Sequence, residues 1–162
     1  MSSTHALQGK RVLAVDDEPD VLDTLKETLE MCDVVKAGDF ETAMSFMETQ
    51  SFDFAILDIM GVDGYRLLEA AREKGIVAVM LTAHALSVKD TVKSYKEGAA
   101  SYVPKEKITE LPQLLEDILE ARKRGKHFWW RWLDRMGEYY DKRFGPDWQE
   151  QDREFWEKHY GV

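Results

Sequence analysis

Four short apolar runs in this chain of 162 residues each lead into a reactive polar side chain. The runs cover residues 12–15, 54–57, 76–81 and 99–103. Continuous apolar runs of this length are typical of strands that are buried on both faces. Helical stripes of apolar residues separate the runs, so strands and helices alternate. This alternation predicts an α/β fold with a doubly wound parallel sheet, because strand–helix–strand crossovers are right-handed.

A fifth, weaker run at Val34-Val35 predicts a short strand near an edge of the sheet. Five strand–helix repeats then give a five-stranded sheet with helices on both faces. Pro19 and Pro112 fall in the first turns of predicted helices. Gly75 and Gly98 fall where helices should end. In open sheets of this kind, ligands bind outside the carboxyl ends of the strands.

The polar residues at those strand ends belong to one chemical set. Asp16 and Asp17 follow the first run, Asp58 follows the second, and Thr82 and Lys105 follow the last two. Carboxylates that share a site repel one another, and Mg²⁺ is the hard cation expected to neutralise them. A hydroxyl and an ammonium group can bind a phosphoryl group. Alone, the Asp16-Asp17 pair fits an acidic first helical turn equally well, but the whole set favours phosphoryl chemistry.

Four segments that contain these residues resemble the receiver domain of two-component response regulators. They are Val15-Asp16-Asp17-Glu18, Leu57-Asp58-Ile59-Met60, Leu81-Thr82-Ala83 and Tyr102-Val103-Pro104-Lys105. The resemblance covers residues 9–124 and implies a flavodoxin-like strand order of 2-1-3-4-5. On this basis residues 1–8 are an N-terminal tail, and residues 125–162 are a separate extension.

The resemblance implies that Asp58 accepts a phosphoryl group from the phosphohistidine of a histidine kinase or from acetyl phosphate. Mg²⁺ would be held by the side chains of Asp17 and Asp58 and by the Met60 carbonyl. Asp16 would lie nearby or act through a water molecule. Self-phosphorylation from a donor and autodephosphorylation would both depend on Mg²⁺, and no other enzymatic activity is expected.

Three further residues would link the phosphoryl group to a conformational change. The resemblance implies that Lys105 pairs first with Asp58 and then with the phosphoryl group. Thr82 would swing inward to bond a phosphoryl oxygen. Tyr102 resembles the aromatic switch residue that follows this motion, while an ordinary strand-edge aromatic stays open as the alternative.

The loop after Asp58 departs from the pattern of the family. It reaches Asp63-Gly64, the pair that precedes the next helix, two residues earlier than receiver domains usually do. Gly61 is therefore expected to supply backbone angles that other residues rarely adopt. Asp63 is expected to cap the following helix.

Charge and composition exclude several classes of protein. The net charge of −9 disfavours non-specific binding to nucleic acid or to an anionic membrane. Cys32 is the only cysteine, so no internal disulfide forms, and a small buried residue is expected there. No apolar run approaches the roughly 18 residues of a membrane span, and no signal-peptide pattern is present. We expect a cytoplasmic protein without a DNA or membrane partner.

The extension at residues 125–162 has an unusual composition, because it contains all five tryptophans of the chain. Apolar residues at helical spacing predict one helix before Gly145-Pro146 and another after it. This helical extension either covers the receiver domain or forms a surface for a protein partner or a homodimer. The second interpretation rests on the enrichment of Trp, Tyr and Arg at binding hot spots.

The expected function is that of a phosphoacceptor response regulator that signals through protein–protein contacts, without a DNA-binding or enzymatic output domain. One alternative is a constitutive interaction module that binds through the extension and is never phosphorylated. Another is a phosphohydrolase with an aspartyl-phosphate intermediate. Such enzymes normally carry a second acid two residues after the nucleophile, where this chain has Met60.

Overall fold

A computed structural model of the chain describes residues 5–82 and 99–124. Within these ranges, five strands form one sheet in which every neighbouring pair is parallel. The strands are β1 (Arg11–Val15), β2 (Asp33–Ala37), β3 (Phe54–Asp58), β4 (Val77–Thr82) and β5 (Ser101–Pro104). Their spatial order is 2-1-3-4-5. The predicted α/β sheet and its strand order are confirmed.

The same part of the chain contains four α-helices and two short 3-10 turns. The helices are α1 (Pro19–Thr28), α2 (Phe40–Thr49), α3 (Gly64–Glu73) and α4 (Leu111–Arg124), and the turns cover His5–Leu7 and Lys105–Glu110. Helix α2 packs against α3, whereas α1 and α4 contact the 3-10 turns. These two groups agree with one helical layer on each face of the sheet. None of these helices combines the length and the apolarity needed to cross a bilayer.

The central strand β3 has both of its faces covered, since all five of its residues are buried. The neighbouring strands β1 and β4 are almost as deeply buried. Each flanking helix turns an apolar stripe towards this core, for example Leu22 and Leu25 of α1 and Leu67 and Leu68 of α3. The apolar runs are therefore buried strands and the apolar stripes are the core-facing sides of helices, as predicted.

Most predicted boundaries agree with the structure to within two residues. Val34-Val35 lie in the edge strand β2, as predicted. Pro19 is the first residue of α1. Gly75 follows α3 with a φ of 71°, a left-handed angle that glycine accepts readily. The helix predicted between the apolar runs at 76–81 and 99–103 and the extension at 125–162 lie outside the described residues, so the division into domains stays a prediction.

Cys32 is half-buried rather than fully buried. Its Sγ lies 3.5 Å from the carbonyl oxygen of Leu7. Burial, with a smaller effect of the Asp53 charge, raises the pKa of the Cys32 thiol to about 11. The thiol therefore stays protonated and weakly reactive at neutral pH.

Arg11 ties together several segments at the amino-terminal edge of the sheet. Its Nε donates to Asp33 Oδ2 at 3.0 Å, and its Nη2 donates to Gln50 Oε1 at 2.7 Å. Its Nη1 donates to the carbonyl oxygen of Ser51 at 3.2 Å. The guanidinium carbon also lies 5.1 Å from the centre of the Phe52 ring. One side chain thus connects β1, β2 and the segment that leads into β3.

We expect the substitution Arg11→Ala to lower the free energy of unfolding by about 1–2 kcal/mol, because hydrogen bonds from a charged group are lost. Urea unfolding followed by circular dichroism measures this change. Arg11→Lys keeps the charge but lacks the planar fork, so it should restore only part of the loss. Full recovery in the lysine variant would contradict the role given to the fork.

Candidate functional site

The carboxyl ends of four adjacent strands bring the predicted site residues to one edge of the sheet. Strand β1 is followed by Asp16 and Asp17, and β3 ends at Asp58. Strand β4 ends at Thr82, and β5 leads directly into Lys105. The order of the sheet places β1, β3, β4 and β5 side by side. This edge is where sheets of this type bind their ligands.

Asp16, Asp17 and Asp58 form an acidic cluster at this edge. One carboxylate oxygen from each of these residues lies within 4.8 Å of the other two. Asp16 is 0% exposed and Asp58 is 5% exposed, whereas Asp17 is open to solvent. Backbone groups orient the two buried carboxylates. The N–H of Glu18 donates to Asp16 Oδ1 at 2.9 Å, and the N–H of Gly61 donates to Asp58 Oδ2 at 3.2 Å.

Lys105 brings a positive charge to the acidic cluster. Its Nζ lies 3.0 Å from Asp16 Oδ2 and 3.7 Å from Asp58 Oδ1. The pairing with Asp58 that the resemblance implies is therefore present, but Asp16 is the nearer partner. Glu18 Oε2 lies 3.6 Å from the same Nζ. Glu18 is not among the predicted site residues, and its only signal in the sequence is its place in the acidic run after β1.

Burial raises the pKa of both buried carboxyl groups. For Asp58, burial is the largest cause, the charge of Asp16 adds to it, and Lys105 opposes it. For Asp16, burial is again the largest cause of the raised pKa, and the hydrogen bond from Glu18 and the charge of Lys105 oppose it. Burial lowers the pKa of Lys105, but the Asp16 and Asp58 carboxylates outweigh burial and the net change is an increase. Lys105 is a single positive charge beside three carboxyl groups, so it can balance the charge of only one of them.

The oxygen atoms of this cluster fit a hard divalent cation. Asp16 Oδ2 is buried and lies 3.0 Å from the Lys105 ammonium, which also lies near Asp58. Carboxylate oxygens are the ligands that Mg²⁺ prefers, and Asp16, Asp17 and Asp58 would hold it. Bound Mg²⁺ would offset their negative charge.

Met60 lies two residues after Asp58, in the turn that leads to α3. Its side chain is 84% exposed, an unusual position for a large apolar group. Solvent exposure of the side chain does not prevent the backbone carbonyl from facing the cluster. The carbonyl of Met60 as a ligand of Mg²⁺ stays a prediction.

The structure of the short loop between β3 and α3 contradicts two predictions, one about the backbone of Gly61 and one about the side chain of Asp63. Gly61 does not have a positive φ, so the prediction that it supplies glycine-specific angles was wrong. Asp63 takes the left-handed conformation instead, with a φ of 57°. It occupies the N-cap position of α3, but its side chain makes no capping hydrogen bond and pairs with Arg66 at 3.3 Å. A left-handed N-cap residue does not aim its side chain at the first N–H groups of the helix, as an extended one does.

Thr82 lies on β4, the strand next to that of Asp58, and Tyr102 lies on β5, one strand further away. Asp58 pairs with Leu81, and Thr82 is the next residue along β4, so it lies one strand from the acceptor position. Its side chain is buried. Tyr102 is fully buried, so its ring belongs to the core. The predicted motions of both residues stay predictions.

A family profile described as the response regulator receiver domain matches residues 12–116. The chain belongs to this family. Two-component response regulator ARR10 of Arabidopsis thaliana is 32% identical over 127 residues, which cover 74% of this chain and 23% of ARR10. Transcriptional regulatory protein TrcR of Mycobacterium tuberculosis is 37% identical over 129 residues, which cover 75% of this chain and 47% of TrcR. The chain thus spans less than half the length of these relatives.

Solved structures show the same similarity. The CheY-like response regulator receiver domain protein from Methanospirillum hungatei has a TM-score of 0.61 at 30% identity. The match covers 72% of this chain and 99% of that one. The receiver domain of the Francisella response regulator 1452 has the same TM-score at 26% identity, covering 73% of this chain and all of that one. Receiver domains bind Mg²⁺ through an acidic pocket and interact with histidine kinases or phosphotransfer proteins, and this chain has such an acidic cluster.

Proposed function

We propose that this chain is a phosphoacceptor response regulator in which Asp58 receives a phosphoryl group from the phosphohistidine of a histidine kinase. A small donor such as acetyl phosphate would serve as well. The observation that supports this proposal most strongly is the position of Asp58. Its buried carboxylate ends the central strand, with Asp16, Asp17 and Lys105 around it. Titratable groups with such perturbed surroundings cluster at functional sites.

In the proposed reaction, a carboxylate oxygen of Asp58 attacks phosphorus. The P–N bond of phosphohistidine, or the P–O bond of acetyl phosphate, breaks at the same centre. The electron pair of that bond leaves with the imidazole, which takes up a proton from solvent, or with acetate. The Lys105 ammonium can neutralise charge on the phosphoryl oxygens, because it already lies 3.7 Å from Asp58 Oδ1. Bound Mg²⁺ would supply Lewis-acid stabilisation to the same oxygens.

Phosphorylation is proposed to act as a two-state switch. The Thr82 hydroxyl would bond a phosphoryl oxygen, and the region around Thr82 and Tyr102 would shift towards its active arrangement. Attack of water on phosphorus would break the P–O bond to Asp58, release inorganic phosphate and return Asp58 to its carboxylate form. The output would be a protein–protein contact, and the aromatic extension at residues 125–162 is the candidate surface for that partner.

Intact-mass spectrometry of the full chain tests the proposed acceptor. With Mg²⁺ and acetyl phosphate, we expect one phosphoryl group per wild-type chain and none on the Asp58→Asn variant. Asp20→Asn changes an exposed carboxylate in the first turn of α1, so it should leave the uptake unchanged. Fluorine NMR should show bound beryllofluoride for the wild type and for Asp20→Asn, the two proteins that are expected to accept a phosphoryl group. An unmodified wild type without a beryllofluoride signal would rule out the proposal.

A further inference from the structure

The loop from Ile59 to Asp63 is tight enough to leave little room for side chains near the acidic cluster. The N–H of Gly64 donates to the carbonyl oxygen of Ile59 at 3.1 Å, which closes the turn within a few residues. The N–H of Gly61 donates to Asp58 Oδ2. The left-handed Asp63 completes the same turn. Gly61 in this loop therefore lies against the Asp58 carboxylate.

The side chain of Asp17 occupies the space that a side chain at position 61 would need. A Cβ atom on Gly61 would lie 2.5 Å from each carboxylate oxygen of Asp17 and would also overlap its Cγ. Non-bonded carbon atoms prefer a separation of about 3.5–4.0 Å, so the two side chains cannot both keep these positions. The three atoms nearest to this Cβ all belong to Asp17. A larger residue at position 61 would therefore move the Asp17 carboxylate first.

Two other glycines show how specific this contact is. A Cβ atom on Gly64 would lie 2.8 Å from the Cα of Ile59 and would overlap the carbonyl oxygen of Asp58, so a substitution there would disturb the backbone. A Cβ atom on Gly38 would meet no atom within 4 Å, and Gly38 has no positive φ. Gly38 is thus a matched control for the loss of a glycine, whereas Gly64 is not.

We propose that Gly61 is a positioning residue whose missing Cβ lets Asp17 place its carboxylate against Asp16 and Asp58. This inference rests on the proposed function, because the carboxylates meet there to hold Mg²⁺. Asp17 is exposed and short, so a methyl group at position 61 turns its carboxylate outward into solvent. The chain stays folded, but one oxygen ligand leaves the cluster. The shortened loop thus makes metal binding depend on a glycine.

Calorimetric titration of the full chain with Mg²⁺ tests this role without any phosphodonor. We expect Gly61→Ala to weaken the Mg²⁺ affinity by at least about tenfold, the lower end of the effect of changing a residue that positions a metal ligand. Gly38→Ala should bind Mg²⁺ as the wild type does. If the wild type binds Mg²⁺ and Gly61→Ala binds it with the same affinity, the inference is overturned and the proposed function stands. A wild type that binds no Mg²⁺ would overturn both.

A double variant shows whether the effect passes through Asp17. Asp17→Ala should weaken Mg²⁺ binding by itself, and adding Gly61→Ala should cause no further loss. An additional loss in the double variant would contradict the inference. Circular dichroism and thermal unfolding are followed for each chain. If the Gly61→Ala single variant fails to fold, a folded double variant supports the contact with Asp17. A double variant that also fails to fold overturns the inference.

Discussion

The substitution Lys105→Met is expected to lower the free energy of unfolding by about 3 kcal/mol in the absence of metal, since removing one partner of a buried ion pair leaves uncompensated charge. The Lys105 ammonium lies 3.0 Å from Asp16 and 3.7 Å from Asp58, both of which are buried. Methionine keeps an unbranched apolar side chain that lacks only the terminal ammonium group of lysine. The expected loss therefore reports the missing charge rather than a cavity.

Urea unfolding at neutral pH with a chelator measures this loss, and Lys36→Met is its control. Lys36 forms an ion pair with Asp23 in which both side chains are at least one-third exposed. Such surface pairs contribute about 1 kcal/mol or less. A loss in Lys105→Met no larger than that in Lys36→Met would show that the buried charges are not coupled to Lys105.

The pH dependence of the same variant has a defined sign. Burial raises the pKa of Asp16 and Asp58, so these groups take up protons at higher pH in the folded chain than in the unfolded chain. Once they are protonated, Lys105 has no buried anion to compensate and keeps only the exposed Glu18 nearby. The difference between wild type and Lys105→Met should therefore be largest at neutral pH and shrink as the pH falls. A difference that stays constant through acid pH would point to lost packing instead.

The fold was largely predictable because its signals are local. Apolar runs at residues 54–57 and 76–81 become strands whose burial matches their composition. The carboxyl ends of parallel strands must share one edge, so the meeting of Asp16, Asp58 and Lys105 also followed from the sequence. Chain topology alone brings these side chains together.

The finer arrangement of the site was not predictable, because it depends on distances between segments far apart in the chain. Nothing local indicates that Lys105 lies nearer to Asp16 than to Asp58. The presence of Gly61 was explained by backbone angles, whereas its actual reason is the close approach of Asp17 from another strand end. A sequence gives the position of a glycine, but it does not identify the neighbouring residue that leaves no room for a side chain there.

Asp58→Asn is expected to stabilise the metal-free protein at neutral pH, by about 1–2 kcal/mol on the scale of single substitutions. Burial and the Asp16 charge raise the pKa of Asp58, so ionised Asp58 destabilises the folded state above the pKa of the unfolded chain. Asparagine removes this charge and can still accept the hydrogen bond from the Gly61 N–H. At acid pH, where the wild-type carboxyl is protonated, the gain should disappear.

Mg²⁺ should reverse the order of stability of the two proteins. At a concentration about 100 times its dissociation constant, a ligand that binds only the folded state adds about 2.7 kcal/mol. The wild type should gain this increment in urea unfolding, whereas Asp58→Asn lacks one carboxylate of the cluster and should gain much less. Equal gains would remove Asp58 from the set of metal ligands. The expected reversal has a functional reason: the carboxylate that weakens the empty site is the one that the phosphoryl acceptor requires, so stability is given up where the chemistry needs charge.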